Sequence, residues 1–257
     1  MIADPEVLDA EMQQVAEAFG VAMEQVRRDH LISHVLGAIS QDLPDRVIFF
    51  GGTALSRTYL PHGRLSEDID LIAVGKRREV AVMLEDAIGA RLARTHGGVT
   101  WEPAPSATRD PEPALLRTDD GLNVRVQLLG GAGYAAWPTE AVDLHQRYSD
   151  APPARLAAYT AAAFVAAKTC AWLERAASRD LYDLYLLARA GFITSEAGEL
   201  FIRHGFLGAT LPSSENLGQA PSGEAWRVQL GGQTRLTVAP DEALAVVQRA
   251  WDSVRAA

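Results

Sequence analysis

The sequence is poor in two residue types that often carry a protein's chemistry. It has a single cysteine, Cys170, among 257 residues, which excludes an intramolecular disulfide and a cysteine-based zinc site and favours a reducing compartment. Lysine is almost as rare, because 22 of the 24 basic residues are arginine and only Lys76 and Lys168 are lysine. Lys168 lies within the most apolar segment of the chain, so its presence there needs a physical explanation.

The sequence predicts neither a secretory signal nor a membrane span. The N-terminus MIADPEVLDAEMQQ is acidic and polar where a signal would be basic and then apolar. The longest apolar run, LAAYTAAAFVAAKTCAWL at 156–173, is mostly alanine and contains Lys168, so we interpret it as a buried helix. The net charge of −9 argues against the broad basic surface of a duplex-DNA binder. We expect a cytoplasmic protein without membrane association, in which basic surface is confined to local arginine patches.

The apolar patterns predict an α+β fold in two parts. In the first part they predict helices over the first 40 residues, strand VIFF (47–50), a helix over 53–60, a strand over 67–74, a helix over 78–95 and extended segments near VTWEP, ALLRT and LNVRVQLLG. We therefore predict a domain over 1–150 with N-terminal helices and a mixed sheet.

The second predicted domain, 151–257, is introduced by Pro152-Pro153 and is mainly helical. Its predicted elements are helices near 154–175, 179–190 (with Ser178 as N-cap) and 194–204, a loop over 211–223, a hairpin in WRVQL-GGQ-TRLTV and a closing helix in DEALAVVQRAWDSVR.

The segment RLSEDIDLIAV (64–74) places acidic residues inside an apolar strand. Residues two apart on a strand face the same side, so Asp68 and Asp70 project together while Ile69 and Leu71 point away. Two carboxylates this close repel each other unless a divalent cation lies between them. Mg²⁺ is the natural candidate, because it prefers oxygen ligands and is usually held by one or two carboxylates and the phosphates of a substrate.

Upstream of the acidic pair, a glycine turn follows strand VIFF. Gly51, Gly52 and Thr53 form a strand, turn and helix start, an arrangement whose backbone N–H groups can receive a phosphate. The hydroxyls of Thr53 and Ser56 could add donors. The glycine turn or the acidic pair alone is weak evidence for such a site, because glycine pairs usually mark plain turns and Asp-x-Asp usually marks a solvated strand edge. Together they are far more specific.

The combined stretch, GGTALSRTYLPHGRLSEDIDLI, resembles the first motif of the DNA polymerase β-like nucleotidyltransferases, a glycine pair followed by Asp-x-Asp. Its residue pattern, GGTAL and then R-x-S-x-D-x-D-L, resembles that of the AbiEii/AbiGii toxin family, which includes the MenT-type toxins. The resemblance implies a polymerase β-like fold with a mixed sheet and helices.

A second stretch, from Lys168 through Arg175 to RDLYDL at 179–184, is similar to the K-x-x-A/C…R-D-x-x-D-L motif of the same family. An ammonium group inside an apolar helix requires an anionic partner or a large pKa shift. Phosphate or an acidic residue would serve. Asp180 and Asp183 share a helix face and could orient Lys168, or touch the sugar or base of a nucleotide. The alternative is that Lys168 reaches solvent and Asp180 only stabilises its helix.

The resemblance implies a toxin that transfers a nucleoside monophosphate from NTP to the 3′ end of tRNA, which blocks aminoacylation and translation, with a cognate antitoxin as partner. Asp68 and Asp70 would hold Mg²⁺, and Lys168 would neutralise phosphate charge in a site completed by the second domain. The implied catalytic residues are Asp68, Asp70, Lys168, Asp180 and Asp183. The implied nucleotide-binding residues are Gly51, Gly52, Thr53, Ser56, Arg57 and Ser66.

Two alternatives remain open: a protein or small-molecule acceptor, and a non-catalytic interaction module. The third carboxylate that polymerase β-like enzymes commonly supply from a later strand is missing in LNVRVQLLG, which offers Arg125 and Gln127. This departure puts two-metal catalysis in doubt. His30 and His34 are four apart on a predicted helix, where a packed or surface pair is a more common explanation than a metal site.

Overall fold

The computed structural model describes residues 5–205 and 210–256, which form two compact units. The first unit runs to Tyr134 and also includes Glu140–Ala158, and the second comprises Ala135–Thr139 and the chain from Tyr159 onward. Within the described ranges, no helix is long and apolar enough to cross a membrane.

The first unit is built on a mixed sheet of seven strands in the order β3-β4-β5-β2-β1-β7-β6. The strands are β1 (Val47–Phe50), β2 (Asp68–Ala73), β3 (Val99–Trp101), β4 (Ala114–Thr118), β5 (Asn123–Leu129), β6 (Thr139–Asp143) and β7 (Arg155–Tyr159). Strand β2 lies at the centre, antiparallel to β1 and parallel to β5. The described part of the first unit also contains helices α1 (Pro5–Phe19), α2 (Met23–Asp42), α3 (Gly51–Arg57) and α4 (Arg77–Leu92), and a 3-10 turn at Pro105–Ala107.

Helix α2 is the central helix of the first unit. Its residues from His30 to Ile39 are all buried, so this part of the helix is enclosed on every side. Six apolar side chains of α2 are fully inaccessible: Val26, Leu31, Ile32, Val35, Leu36 and Ile39. Polar groups on such a helix need partners inside the protein. Asp29, His30 and His34 accordingly all contact residues of other segments.

The described part of the second unit is mainly helical. Its helices are α5 (Ala161–Arg175), α6 (Ser178–Arg189), α7 (Ser195–His204), α8 (Gly223–Leu230) and α9 (Pro240–Ala256). The core includes Phe201 and Trp251, whose ring centroids are 6.0 Å apart. The α+β fold class predicted from the sequence is thus confirmed, with a mixed sheet followed by helices.

The predicted helix over 154–175 is wrong in its first part. Residues Arg155–Tyr159 form strand β7, which pairs in parallel with β1. The two prolines before it favour extended backbone, and Thr160 then starts the helix because its hydroxyl accepts a hydrogen bond from Ala163 N at 3.2 Å. Strand β6 has no counterpart in the sequence-based prediction either, since its mostly exposed residues show no apolar alternation.

The predicted hairpin in WRVQL-GGQ-TRLTV is also wrong. Its first half belongs to α8, and among the described residues no strand follows before α9. Ser222 accepts a hydrogen bond from Ala225 N at 3.1 Å and so caps the helix. Trp226 and Leu230, four apart, are both buried on one helix face. In α6 the N-cap is Ala177, and the predicted cap Ser178 is the first helical residue.

Candidate active site

The pairing of β1 with β2 brings the glycine turn and the acidic pair together. Phe50, which precedes the turn, lies opposite Asp70 in the antiparallel register. Gly51 has a φ of +79°, and a Cβ at this position would lie 2.0 Å from Asp70 Oδ2. Only glycine therefore allows the carboxylate to pack against the start of α3. The two halves of the sequence motif meet at this point in the fold.

The missing side chain of Gly52 leaves room for the buried guanidinium of Arg64. A Cβ at Gly52 would lie 2.4 Å from Arg64 Nη2 and 3.2 Å from Ser66 Oγ. Arg64 and Ser66 are both buried, with 4% and 7% of their surface exposed. The structure therefore adds Arg64 to the residues around the glycine turn. The arginine of the motif R-x-S-x-D-x-D is the signal for this position, although the motif alone does not assign it a role.

The acidic pair has a basic and an amide neighbour on β5. In the parallel register Asp68 lies opposite Arg125, and Asp70 lies opposite Gln127. Arg125 Nε is 3.9 Å from Asp68 Oδ1, with 61% and 34% of the two side chains exposed. The strand that could have supplied a third carboxylate thus presents an arginine and a glutamine beside the pair, as the sequence indicated.

The donor set of Asp68 and Asp70 fits magnesium. Both are carboxylates on the same face of β2, and both are partly exposed at the strand's beginning. Hard oxygen donors that remain open to solvent suit an ion that retains water and takes phosphate oxygens as further ligands. The close approach of Asp70 to Gly51 fixes one of the two carboxylates in place.

The hydroxyls of the turn contact the backbone. Thr53 Oγ1 donates a hydrogen bond to the carbonyl of Asp68, and Ser56 Oγ donates to the carbonyl of Thr53 at 3.0 Å. Both side chains are buried. In this arrangement Thr53 ties α3 to β2 and Ser56 stabilises its own helix, so these hydroxyls support the turn rather than extend from it.

Arg57 is fully buried and paired with α2. Its Nη2 lies 2.8 Å from Asp29 Oδ1, and its Nη1 donates to the carbonyl of His145 at 3.0 Å. Burial lowers the pKa of Arg57 to about 10, although Asp29 opposes this shift. A guanidinium that is fully buried and bonded to other parts of the chain stabilises the fold and does not face a substrate. We therefore remove Arg57 from the expected nucleotide-binding residues.

The second motif lies in the second unit and forms a buried ion-pair cluster. Lys168 Nζ is 3.0 Å from Asp180 Oδ1 and 2.7 Å from Asp183 Oδ2. Arg175 Nε adds a contact of 2.7 Å to Asp180 Oδ2. Burial alone would raise the pKa of Asp180, but Lys168 and Arg175 hold that pKa below its usual value. The anionic partners that Lys168 required are therefore the two aspartates.

A substitution at Gly51 tests the close approach to Asp70. We expect Gly51→Ala to lower nucleotidyl transfer by at least about 100-fold, because the new methyl group would displace Asp70, one of the two carboxylates predicted to hold Mg²⁺. Gly121→Ala is the matched control: Gly121 also has a positive φ, +89°, and a methyl group there would meet no atom of the described residues within 4 Å. Initial rates of label transfer and thermal unfolding would be measured for both variants. Equal losses in both would mean that backbone strain alone is responsible.

The class of protein is defined by this fold. MenT4, a nucleotidyltransferase toxin from Mycobacterium tuberculosis H37Rv, has a solved structure that superimposes with a TM-score of 0.70 at 23% sequence identity. The match covers 99% of this chain and 90% of the MenT4 chain. At this level of identity the likeness establishes a shared nucleotidyltransferase fold. A comparison with curated protein sequences gives no significant match.

The family follows from the sequence itself. The model of the family described as "Nucleotidyl transferase AbiEii toxin, Type IV TA system" matches residues 34–251. This match spans most of the chain, so the protein belongs to the AbiEii family of nucleotidyltransferase toxins. The resemblance carried by the two motifs is thereby confirmed, and the match extends beyond them in both directions.

Proposed function

We propose that this protein is a Mg²⁺-dependent toxin that transfers a nucleoside monophosphate from NTP to the 3′ end of tRNA and so inhibits translation. The observation that carries the proposal is the packing of Asp70 against Gly51, which joins the two halves of the nucleotidyltransferase motif. The tRNA acceptor rests on the family resemblance. Membership in a toxin–antitoxin family supports a cognate antitoxin as its partner.

In the proposed reaction, the terminal ribose hydroxyl of the acceptor attacks the α-phosphorus of the nucleotide. A new P–O bond forms as the hydroxyl gives its proton to solvent, the bond between the α-phosphorus and the bridging oxygen breaks, and pyrophosphate leaves with that electron pair. Asp68 and Asp70 would hold Mg²⁺, which would neutralise negative charge on the triphosphate when bound.

The chain's own residues prepare the site for an anionic substrate. Gly51 and Gly52 carry no side chain, and this allows Asp70 and Arg64 to pack directly against the start of α3. Arg64, buried beside Gly52, adds a positive charge that suits phosphate. We therefore propose Gly51, Gly52, Arg64 and Ser66 as the phosphate-binding residues.

The catalytic role of Lys168, Asp180 and Asp183 stays a prediction from the sequence motif. Their cluster supports it in one respect: Nζ lies 3.0 and 2.7 Å from the carboxylates of Asp180 and Asp183, which fix the position of the lysine head group. A lysine fixed in this way would neutralise phosphate charge as pyrophosphate leaves.

A label-transfer assay tests the proposal. The purified protein would be incubated with Mg²⁺, total tRNA and each α-³²P nucleoside triphosphate in turn. We expect label on tRNA from at least one nucleotide, and no label on tRNA whose 3′-terminal diol has been oxidised with periodate. Omission of Mg²⁺ should abolish transfer. Label on the oxidised tRNA would exclude the 3′ end as the acceptor.

The acidic net charge of −9 favours a second candidate, transfer to a protein or a small molecule, because such acceptors need no extended basic surface. The same assay separates the two. Label that appears in a protein band or in a small soluble product, with tRNA unlabelled, would replace the tRNA proposal by this alternative.

A further inference from the structure

Two histidines of α2 and an aspartate far along the chain bring their side-chain nitrogen and oxygen atoms close together in the first unit. His30 Nε2 lies 3.0 Å from both carboxylate oxygens of Asp150. His34 Nε2 lies 3.2 Å from Asp150 Oδ2 and 3.2 Å from His30 Nε2. The two imidazoles belong to successive turns of one helix face, and Asp150 lies in the turn before β7. The three donor atoms therefore form a nearly equilateral triangle.

Protons alone do not satisfy this triangle. An imidazole nitrogen carries either a hydrogen or a lone pair, and an ionised carboxylate only accepts. If both Nε2 atoms carry hydrogens, the contact between the histidines joins two donors. If either carries a lone pair, its contact with Asp150 joins two acceptors. Every arrangement leaves one repulsive contact among groups that are nearly buried: His30 and His34 are 8% and 4% exposed.

A cation at the centre would satisfy all three groups at once. Zinc binds imidazole nitrogen and carboxylate oxygen at about 2.0–2.1 Å, which in a tetrahedral site places neighbouring ligand atoms about 3.3 Å apart. The observed separations of 3.0–3.2 Å are close to this value. His30, His34 and Asp150 are also the group whose ligand atoms all lie within 4.8 Å of one another.

A third histidine stands next to this triangle. The ring of His96, in the turn that follows α4, is centred 5.3 Å from that of His30 and 4.9 Å from that of His34. Its Nδ1 lies 2.9 Å from Thr95 Oγ1. His96 is not among the residues whose ligand atoms all lie within 4.8 Å of one another, so its ring borders the triangle without being part of it.

We propose that His30, His34 and Asp150 form a binding site for a zinc-type transition-metal ion. Two imidazoles and one carboxylate suit zinc rather than magnesium, which prefers oxygen ligands alone. The site uses different residues from the acidic pair of β2 and is independent of the nucleotidyl-transfer reaction. Three protein ligands leave one tetrahedral position for water. The ion joins α2 to the turn that precedes β7.

Metal content tests the proposal directly. Untagged protein, stripped with a chelator and then dialysed against limiting Zn²⁺, should retain about one zinc per chain, measured by elemental analysis. His34→Gln should lose this zinc, whereas His62→Gln, which removes a histidine outside the cluster, should retain it. Zinc bound equally by both variants would overturn the proposal, and so would retention of less than about a fifth of an equivalent by the unaltered protein.

Two measurements on the unaltered protein cover the case in which His34→Gln fails to fold. Stoichiometric Co²⁺ should give the intense visible bands of a tetrahedral nitrogen and oxygen site, and Zn²⁺ should compete these bands away. Zn²⁺ should also raise the unfolding temperature, and Mg²⁺ at the same concentration should not. The weak spectrum of octahedral Co²⁺, or equal stabilisation by the two ions, would show that no such site exists.

Discussion

Asp70→Asn should lower the rate of nucleotidyl transfer by about a thousandfold or more, because it removes one of the two carboxylates proposed to hold Mg²⁺. Asparagine has nearly the same shape as aspartate, so the close packing against Gly51 is retained and the fold should persist. The initial rate of label transfer and the unfolding temperature would be measured together. Asp68→Asn should cause a similar loss.

The control for this prediction is Asp143→Asn, which changes an aspartate of β6 whose side chain is 81% exposed and paired with Arg155. We expect its transfer rate to be unchanged. An Asp70→Asn variant that folds and retains more than about a tenth of the activity would contradict the assignment of Asp70 as a metal ligand. Loss of the fold in Asp70→Asn alone would instead identify this carboxylate as structural.

Asp29→Asn should destabilise the protein by about 3–5 kcal/mol, because it leaves a buried arginine without its counter-ion. Asp29 is 1% exposed and faces Arg57 at 2.8 Å, Arg147 at 3.5 Å and the Tyr148 hydroxyl at 3.1 Å. No water can replace the lost charge of the carboxylate at such a position. Urea unfolding monitored by circular dichroism would give the change in free energy.

Two further variants separate this effect from the loss of any ion pair. Asp42→Asn removes the partner of Arg91. This pair is also joined by two hydrogen bonds but lies at the surface, so the loss of stability should be much smaller. The double variant Asp29→Leu with Arg57→Met should recover part of the stability, since it removes the closest pair of buried charges and leaves only Arg147 of the group. Equal losses for Asp29→Asn and Asp42→Asn would show that burial does not determine the effect.

The elements that can be predicted from the sequence are those whose local pattern and tertiary role agree. Strand β1 has its predicted bounds, because VIFF is continuously apolar and ends at a glycine turn. Strand β2 is predictable from its apolar residues despite two aspartates. The α8 region is misleading, because WRVQL alternates like a strand while its helix is set by the Ser222 cap and by Trp226 packing. Alternation over five residues does not distinguish the two.

The candidate site is predictable where its chemistry is local in the chain. Asp68 and Asp70 are two apart, so one strand suffices to place them on one face. The function of Arg57 is not predictable, because its partner Asp29 is 28 residues away and the sequence does not show which helix will cover it. The cluster around His30 and Asp150 escapes sequence-based prediction for the same reason, since 120 residues separate the two.

Because the register of β1 and β2 alone places Asp70 beside Gly51, the connecting segment of residues 58–67 has no part in setting that distance. Insertions and deletions in this segment should be tolerated by the chemistry as long as both strands keep their pairing and Arg64 and Ser66 keep their places. Family members can therefore differ in the gap between the glycine pair and Asp-x-Asp. Searches for distant relatives should leave the length of that gap free and require only the two strands.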